Sequence, residues 1–222
     1  GFDIFEPYLL ASKEKGIHDD YIVSDVAHIN KKIERKSYDA VVALDLIEHL
    51  PKNAGFELLE NLESIARKKV IIFTPNGFLK QTPFDNNPWQ EHQSGWSVDD
   101  FEKQGYRVEG QGGWKPLRGE RSKLRFRPHF FWSRISFISH KLFSSSPKSC
   151  FQLFCVKKFD KESSGKSSNV HGRYIIVMLP IKLFGGQETQ RVTFVATPLL
   201  ARRCHKANEK HFGTEHDQNY PK

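Results

Sequence analysis

Three short apolar runs set between longer helical patterns constrain this chain more than any other feature. Tyr21-Ile22-Val23, Tyr38 to Leu44 and Val70-Ile71-Ile72-Phe73 have the length and β-branched content of strands. Between the last two, Phe56, Leu59, Leu62 and Ile65 recur at intervals of three, and Leu58 and Ala66 widen the stripe, which predicts an amphipathic helix from Pro51 to about Arg67. Lys68 and Lys69 then suit its negative C-terminal end. Strand and helix in alternation are the signature of a parallel sheet with crossover helices. The run from Tyr38 to Leu44 is apolar on successive residues, as a central strand covered on both faces must be.

The remaining elements follow from punctuation. Phe2 to Ile4 reads as the end of a strand, and Pro7 suits the first turn of a helix stopped near Gly16. Ser97 can cap a short helix from Val98 to Gln104 that Gly105 ends. Tyr106 to Gln111 and Cys150 to Val156 are the fifth and sixth strands. The chain starts at Gly1 in the middle of an apolar run, which implies sequence upstream of it.

Length and charge divide the chain. At 222 residues and 38% hydrophobic content it supports one principal domain, expected over residues 1–158, with a linker and poorly ordered tail over 159–222. Residues 1–111 carry a net charge of −6, residues 112–160 of +9 and residues 161–222 of +5. The abrupt change near Gly112 marks a basic, aromatic insertion at about 112–148. In it Arg118, Arg121, Lys123, Arg125, Arg127 and Arg134 alternate with Phe126, Phe130, Phe131 and Trp132. That mixture can meet nucleic acid or an anionic membrane surface through residues 114–134. The favoured reading is a cap helix that packs Phe131, Ile135, Ile138 and Leu142 on the sheet and leaves the basic residues solvated.

The tail begins with a polar linker, Lys161 to Ser168. Its apolar runs, Tyr174 to Leu179 and Val192 to Leu200, are interrupted by Pro180 and Pro198 and hold no period. Cys204, His205, His211 and His216 match no standard finger spacing, and the three cysteines give no disulfide framework. No stretch has the roughly 20 apolar residues of a membrane-spanning helix, and no secretory leader is visible, so the expected location is cytoplasmic.

Acidic residues at strand ends carry the chemistry. In an open parallel sheet, ligands bind at the carboxyl ends of the strands. Asp3, Asp25 and Asp45 each stand at such an end, where a carboxylate can accept from vicinal ribose hydroxyls or from an exocyclic amine. Each alone reads more readily as a helix cap or turn former; as an ordered set they read as an adenosine site.

Gly1-Phe2-Asp3, Ser24-Asp25-Val26, Tyr38 to Val42, Leu46-Ile47-Glu48-His49-Leu50-Pro51 and Phe73-Thr74-Pro75-Asn76 resemble successive motifs of the class I S-adenosylmethionine-dependent methyltransferases over residues 1–110. The resemblance implies an α/β, Rossmann-like three-layer sandwich with a mostly parallel sheet. It implies that Asp3, with Ile4 beside it, holds the ribose of S-adenosyl-L-methionine. Asp25 and the amide of Val26 would hold the adenine, and Leu44 and Asp45 would line the methionine end. Glu48 and His49 are the catalytic candidates by position, for an acceptor of unidentified class.

The family's opening strand and acidic-x-Gly-x-Gly-x-Gly turn have no counterpart in the sequence, so the sheet is expected to lack its first strand and helix and to expose two unpaired edges. Asp45, Glu48 and His49, with His92 as a fourth group, also resemble the metal motif of the small-RNA 2′-O-methyltransferases. The first ligand there is Glu and here is Asp, and no metal site is expected. Two alternatives to an enzyme remain: a non-catalytic remnant of the fold acting as a binding module, and a basic nucleic-acid-binding protein.

Overall fold

The computed structural model describes residues 1–83, 86–143, 145–159 and 173–178. Among these described residues seven strands form one sheet: β1 (Phe2–Asp3), β2 (Ile22–Val23), β3 (Tyr38–Leu44), β4 (Ala66–Pro75), β5 (Arg107–Trp114), β6 (Cys150–Lys158) and β7 (Tyr174–Met178). Their order is β2-β1-β7-β3-β4-β6-β5. Only β6 runs against its neighbours; the other named pairs are parallel. The described residues also form five α-helices: α1 (Glu6–Glu14), α2 (Ile29–Lys32), α3 (Lys52–Ile65), α4 (Val98–Lys103) and α5 (His129–Phe143). The architecture is the mostly parallel α/β sheet with crossover helices that the strand and helix alternation predicts, in the Rossmann-like arrangement that the resemblance implies.

The main core lies on one face of the sheet. Side chains of a strand alternate between faces. Val41 and Ala43 of β3, Val70 and Ile72 of β4, Leu153 and Cys155 of β6 and Ile175 and Val177 of β7 therefore pack together against α2, α3 and α4. From α3 this cluster takes Leu58, Leu59, Leu62 and Ile65, the stripe visible in the sequence. The indole of Trp96 and the ring of Phe101 complete it, tilted against each other at 5.3 Å. On the opposite face Leu9, Ala40, Ile71 and Phe73 are buried outside this cluster.

Local signals behave as their chemistry requires. Pro7 falls within the first two positions of α1, and Gly16 takes φ +59 just beyond its end. Ser97 and Asp100 form a reciprocal capping box on α4, and Gly105 follows at φ +81. Both Cys150 and Cys155 are buried free thiols.

Three expectations need correction. Lys68 and Lys69 do not sit at the end of a helix, because α3 stops at Ile65 and β4 begins at Ala66; Lys68 and Arg67 instead pair with the buried Asp39, at 3.2 and 3.1 Å. The sheet has no gap at its centre, because β7, from the segment expected to be an irregular tail, lies between β1 and β3. Tyr174 through Met178 register against Ala40 through Leu44, and the Arg173 carbonyl accepts from the amide of Asp39 at 2.8 Å. A five-residue β-branched strand with Ile175 and Val177 buried satisfies backbone groups that β1 and β3 would otherwise leave bare. Third, α5 does not present its apolar stripe to the sheet. Its buried residues are Ser136 and Ser139, while Phe131, Ile138 and Leu142 are exposed.

The reason lies in β5. Gly113 has φ +74, and a Cβ there would stand 2.5 Å from the Ser136 carbonyl, so the helix backbone seats directly on the glycine. The Ser139 hydroxyl accepts from the Trp114 amide at 3.0 Å, and the Arg118 guanidinium donates to the Ser136 hydroxyl at 3.1 Å. Polar anchoring at short range thus overrides the apolar periodicity. The tail residues Val192 to Leu200, Cys204, His205, His211 and His216 lie outside the described residues.

Candidate functional site

Asp3, Asp25 and Asp45 all lie at carboxyl ends of parallel strands and so along the same margin of the sheet. Asp3 ends β1, Asp25 follows β2 by two residues and Asp45 follows β3 by one. A cleft of about 270 Å³ opens there, lined in part by Asp3, Ile4, Asp25, Val26 and His49. Leu46, Leu50 and Pro51, which belong to the Leu46–Pro51 motif but are not among its expected site residues, also line it, as do Trp89 and Gln93, which carry no sequence signal. Leu44, Asp45 and Glu48 are not part of its lining.

The two cleft carboxylates differ in state. Asp3 is 3% exposed; its Oδ1 accepts from the Phe5 amide at 2.8 Å, while its Oδ2 is buried without a partner. Burial pushes its pKa up to about 7 against the opposing pull of backbone amides. Such an orphaned oxygen on a cleft wall is a place for a ligand hydroxyl. Asp25 is half-buried, and its Oδ1 accepts from the Ala27 amide at 2.9 Å, capping the short turn Val26–His28. It therefore serves as a cap while still facing the cleft.

The turn after β3 builds a second cluster. Asp45 takes φ +44, a left-handed conformation unusual for a side chain other than glycine, and its amide donates to the Phe73 carbonyl at 2.8 Å. Ile47–His49 then form one 3-10 turn, buried throughout. Glu48 Oε2 accepts from the Thr74 hydroxyl at 2.8 Å, and Oε1 is buried without a partner. The Glu48 carbonyl accepts from the amides of Gln93 and Ser94 at 2.8 and 3.0 Å, which pins the loop after Pro88–Gln90 over this turn. That pinning brings His92 against His49, their rings edge to face at 4.6 Å.

Tautomers follow from the partners. Nδ1 of His49 lies 3.1 Å from the Glu91 carbonyl, and Nδ1 of His92 lies 2.6 Å from the Leu79 carbonyl. A carbonyl only accepts, so both Nδ1 atoms carry the proton and both Nε2 atoms keep a lone pair. Burial first, then the neighbouring His92, lowers the His49 pKa to about 4; burial lowers that of His92. The imidazoles are neutral at physiological pH. One ligand atom from each of Glu48, His49 and His92 lies within 4.8 Å of the others, the arrangement a metal ion would need. Asp45 adds charge beside them: burial raises its pKa to about 7, and burial together with Asp45 raises that of Glu48.

This geometry can do two things chemically. The cleft offers a buried carboxylate oxygen, a capping carboxylate and apolar walls from Val26, Leu46 and Leu50, which suit a sugar and a planar base. The adjoining cluster offers two neutral imidazoles and a carboxylate, which can take a proton or hold a cation.

Comparison with known proteins places two solved structures beside this one. The chain is similar to a SAM-dependent methyltransferase from Archaeoglobus fulgidus, at 19% identity over 71% of this chain and 85% of that one, with a TM-score of 0.39. It is also similar to the methyltransferase domain of bacterial CtHen1-CN, at 18% identity over 72% of this chain and 76% of that one, again with a TM-score of 0.39. No family model and no curated protein matches the chain.

Proposed function

We propose that this domain binds S-adenosyl-L-methionine in the cleft beside β1 and β2 and transfers its methyl group to an acceptor. The observation that carries the reading is the Asp3 carboxylate, buried, with one oxygen unpartnered, on the wall of a cleft at the carboxyl ends of adjacent parallel strands. Asp3 would accept from the ribose hydroxyls, with Ile4 beside it. Asp25 and the Val26 backbone would meet the adenine, and Leu46 and Leu50 would cover its face. The cofactor supplies a methyl on a positive sulfonium, poised for in-line displacement. The protein's share is alignment and exclusion of water. Leu44 and Asp45 would lie toward the methionine end, outside the adenosine cleft itself. His49, which lines the cleft, would take a proton from a hydroxyl acceptor when no cation occupies its Nε2.

Calorimetric titration of the full chain with S-adenosylhomocysteine tests the reading. Micromolar binding that falls about 10- to 100-fold in Asp3→Asn is expected, the loss of one or two charge-assisted hydrogen bonds. A folded chain that shows no binding overturns it in favour of a non-catalytic module.

The cluster of Glu48, His49 and His92 favours a companion reading in which the domain holds a divalent cation. The residues fit: Glu48 Oε1 is orphaned, and both Nε2 atoms are free while their Nδ1 atoms are fixed by carbonyls. A bound cation would act there as a Lewis acid toward an acceptor oxygen. Titration with Mn²⁺, followed by the loss of its free electron paramagnetic resonance signal, is expected to show one site that His92→Ala removes. Full signal at stoichiometric Mn²⁺, and no calorimetric heat with Zn²⁺, would sink this companion reading and leave the cofactor cleft standing.

A further inference from the structure

We infer that α5 is a docking element for an anionic lipid bilayer and that its exposed face enters the headgroup region with the helix parallel to the surface. The helix is attached to the sheet by its small polar residues, Ser136 and Ser139, and turns its large apolar side chains outward. Phe130 is 73% exposed, Phe137 67%, Ile138 57% and Leu142 68%. Next to them Trp114, Ile135, Ile138, Leu142 and Phe143 line an open apolar cleft. Left in water, such a face costs free energy in proportion to its area, and faces of this kind mark interaction sites.

Charge selects the occupant. Arg134 and Lys141, seven residues apart, fall on one line along the helix between Phe130 and Phe137 on one side and Ile138 and Leu142 on the other. Both are exposed, the helix has no acidic residue, and the exposed Arg125 and Arg127 precede it. Residues 112–160 carry +9 in all. Long cationic side chains can reach up to lipid phosphates while the apolar side chains beside them sink toward the acyl chains. A second copy of the same face would bring like charge against like. A nucleic acid would pair with the arginines but would gain nothing from Ile138 and Leu142, which neither stack on bases nor contact phosphate favourably. The bilayer satisfies both halves of the pattern.

Flotation of the full chain with vesicles tests this directly. Binding to phosphatidylcholine vesicles containing 30% phosphatidylserine is expected to be at least tenfold tighter than to phosphatidylcholine alone. The double variants Phe137→Asp/Ile138→Asp and Arg134→Glu/Lys141→Glu should each lose at least tenfold on the anionic vesicles. All four side chains are exposed, so an unchanged thermal midpoint and unchanged S-adenosylhomocysteine titration are expected alongside. Any of four results overturns the inference. These are no vesicle binding by the parent chain, anionic binding that the Phe137→Asp/Ile138→Asp pair leaves intact, binding only to a single-stranded RNA of 30 nucleotides, or a dimer in light scattering that Phe137→Asp dissolves without any vesicle binding. The cofactor cleft contains none of these residues, so its own test can succeed or fail independently.

Discussion

Asp3 holds one oxygen satisfied and one bare, and that half-satisfied state has a pH signature. Its pKa in the folded chain is raised to about 7, so the protonated form is favoured by folding, and the stability linked to this group declines as pH rises from about 4 toward 7. Ribose hydroxyls would donate to the ionised form, so cofactor binding there should release a proton below pH 7. The affinity for S-adenosylhomocysteine is therefore expected to be about tenfold weaker at pH 6 than at pH 8 in the parent chain. In Asp3→Asn the slope should fall well below that of the parent across that range; calorimetry at both pH values checks it, and equal slopes in both proteins would refute the assignment to Asp3. Residues like this one were legible because a strand end announces itself in sequence. His92 enters the sequence reading only through the resemblance to a metal motif. What holds it against His49 across 42 intervening residues is the Glu48 carbonyl anchoring Gln93 and Ser94, and Trp89 and Gln93, which carry no sequence signal, enter the cleft by the same route. Backbone anchoring of a loop leaves no trace in residue type.

Elements were more legible than their orientations. The span of β3 reads directly from its apolar run, and α3 follows its stripe, because burial on a fixed period is what those patterns encode. For α5 the existence of a helix was readable and its rotation was not, since the contact is made through Gly113 and two serines. Gly113→Ala is expected to be costly by about 1–3 kcal/mol, from left-handed strain and from contact with the Ser136 carbonyl. Chemical denaturation should show that loss, with hydrogen exchange accelerating in residues 129–143 before the central strands. The capping box on α4 is a separate local test: Ser97→Ala should cost about 0.5–2 kcal/mol in the same measurement. Gly55→Ala, by contrast, would press on the buried Trp96 indole from inside α3 and is expected to lower the midpoint of the whole core.

For the molecule as a whole, strand order was the least legible property. A short interior strand is a brief apolar run with no period of its own, and Tyr174 to Met178 looked like any interrupted tail segment. Its place between β1 and β3 makes it an interior strand of the sheet. Val177→Asp would bury an unpaired charge among Phe2, Val41 and Ala43, and loss of a cooperative thermal transition is expected. A chain ending at Arg173 should behave the same way in circular dichroism, losing its near-ultraviolet signal. If removal of β7 left the melting curve unchanged, the sheet would have to close in another way.

Since β7 follows every one of its neighbours in sequence, the ribosome delivers the keystone of the sheet after all the stones around it. Until then β1 and β3 present open pairing edges to whatever is nearby, and their union waits on contacts of long sequence separation, a slow kind of closure. The pairing of β1 with β3 through their shared neighbour therefore cannot be completed until the chain as far as Met178 has been made.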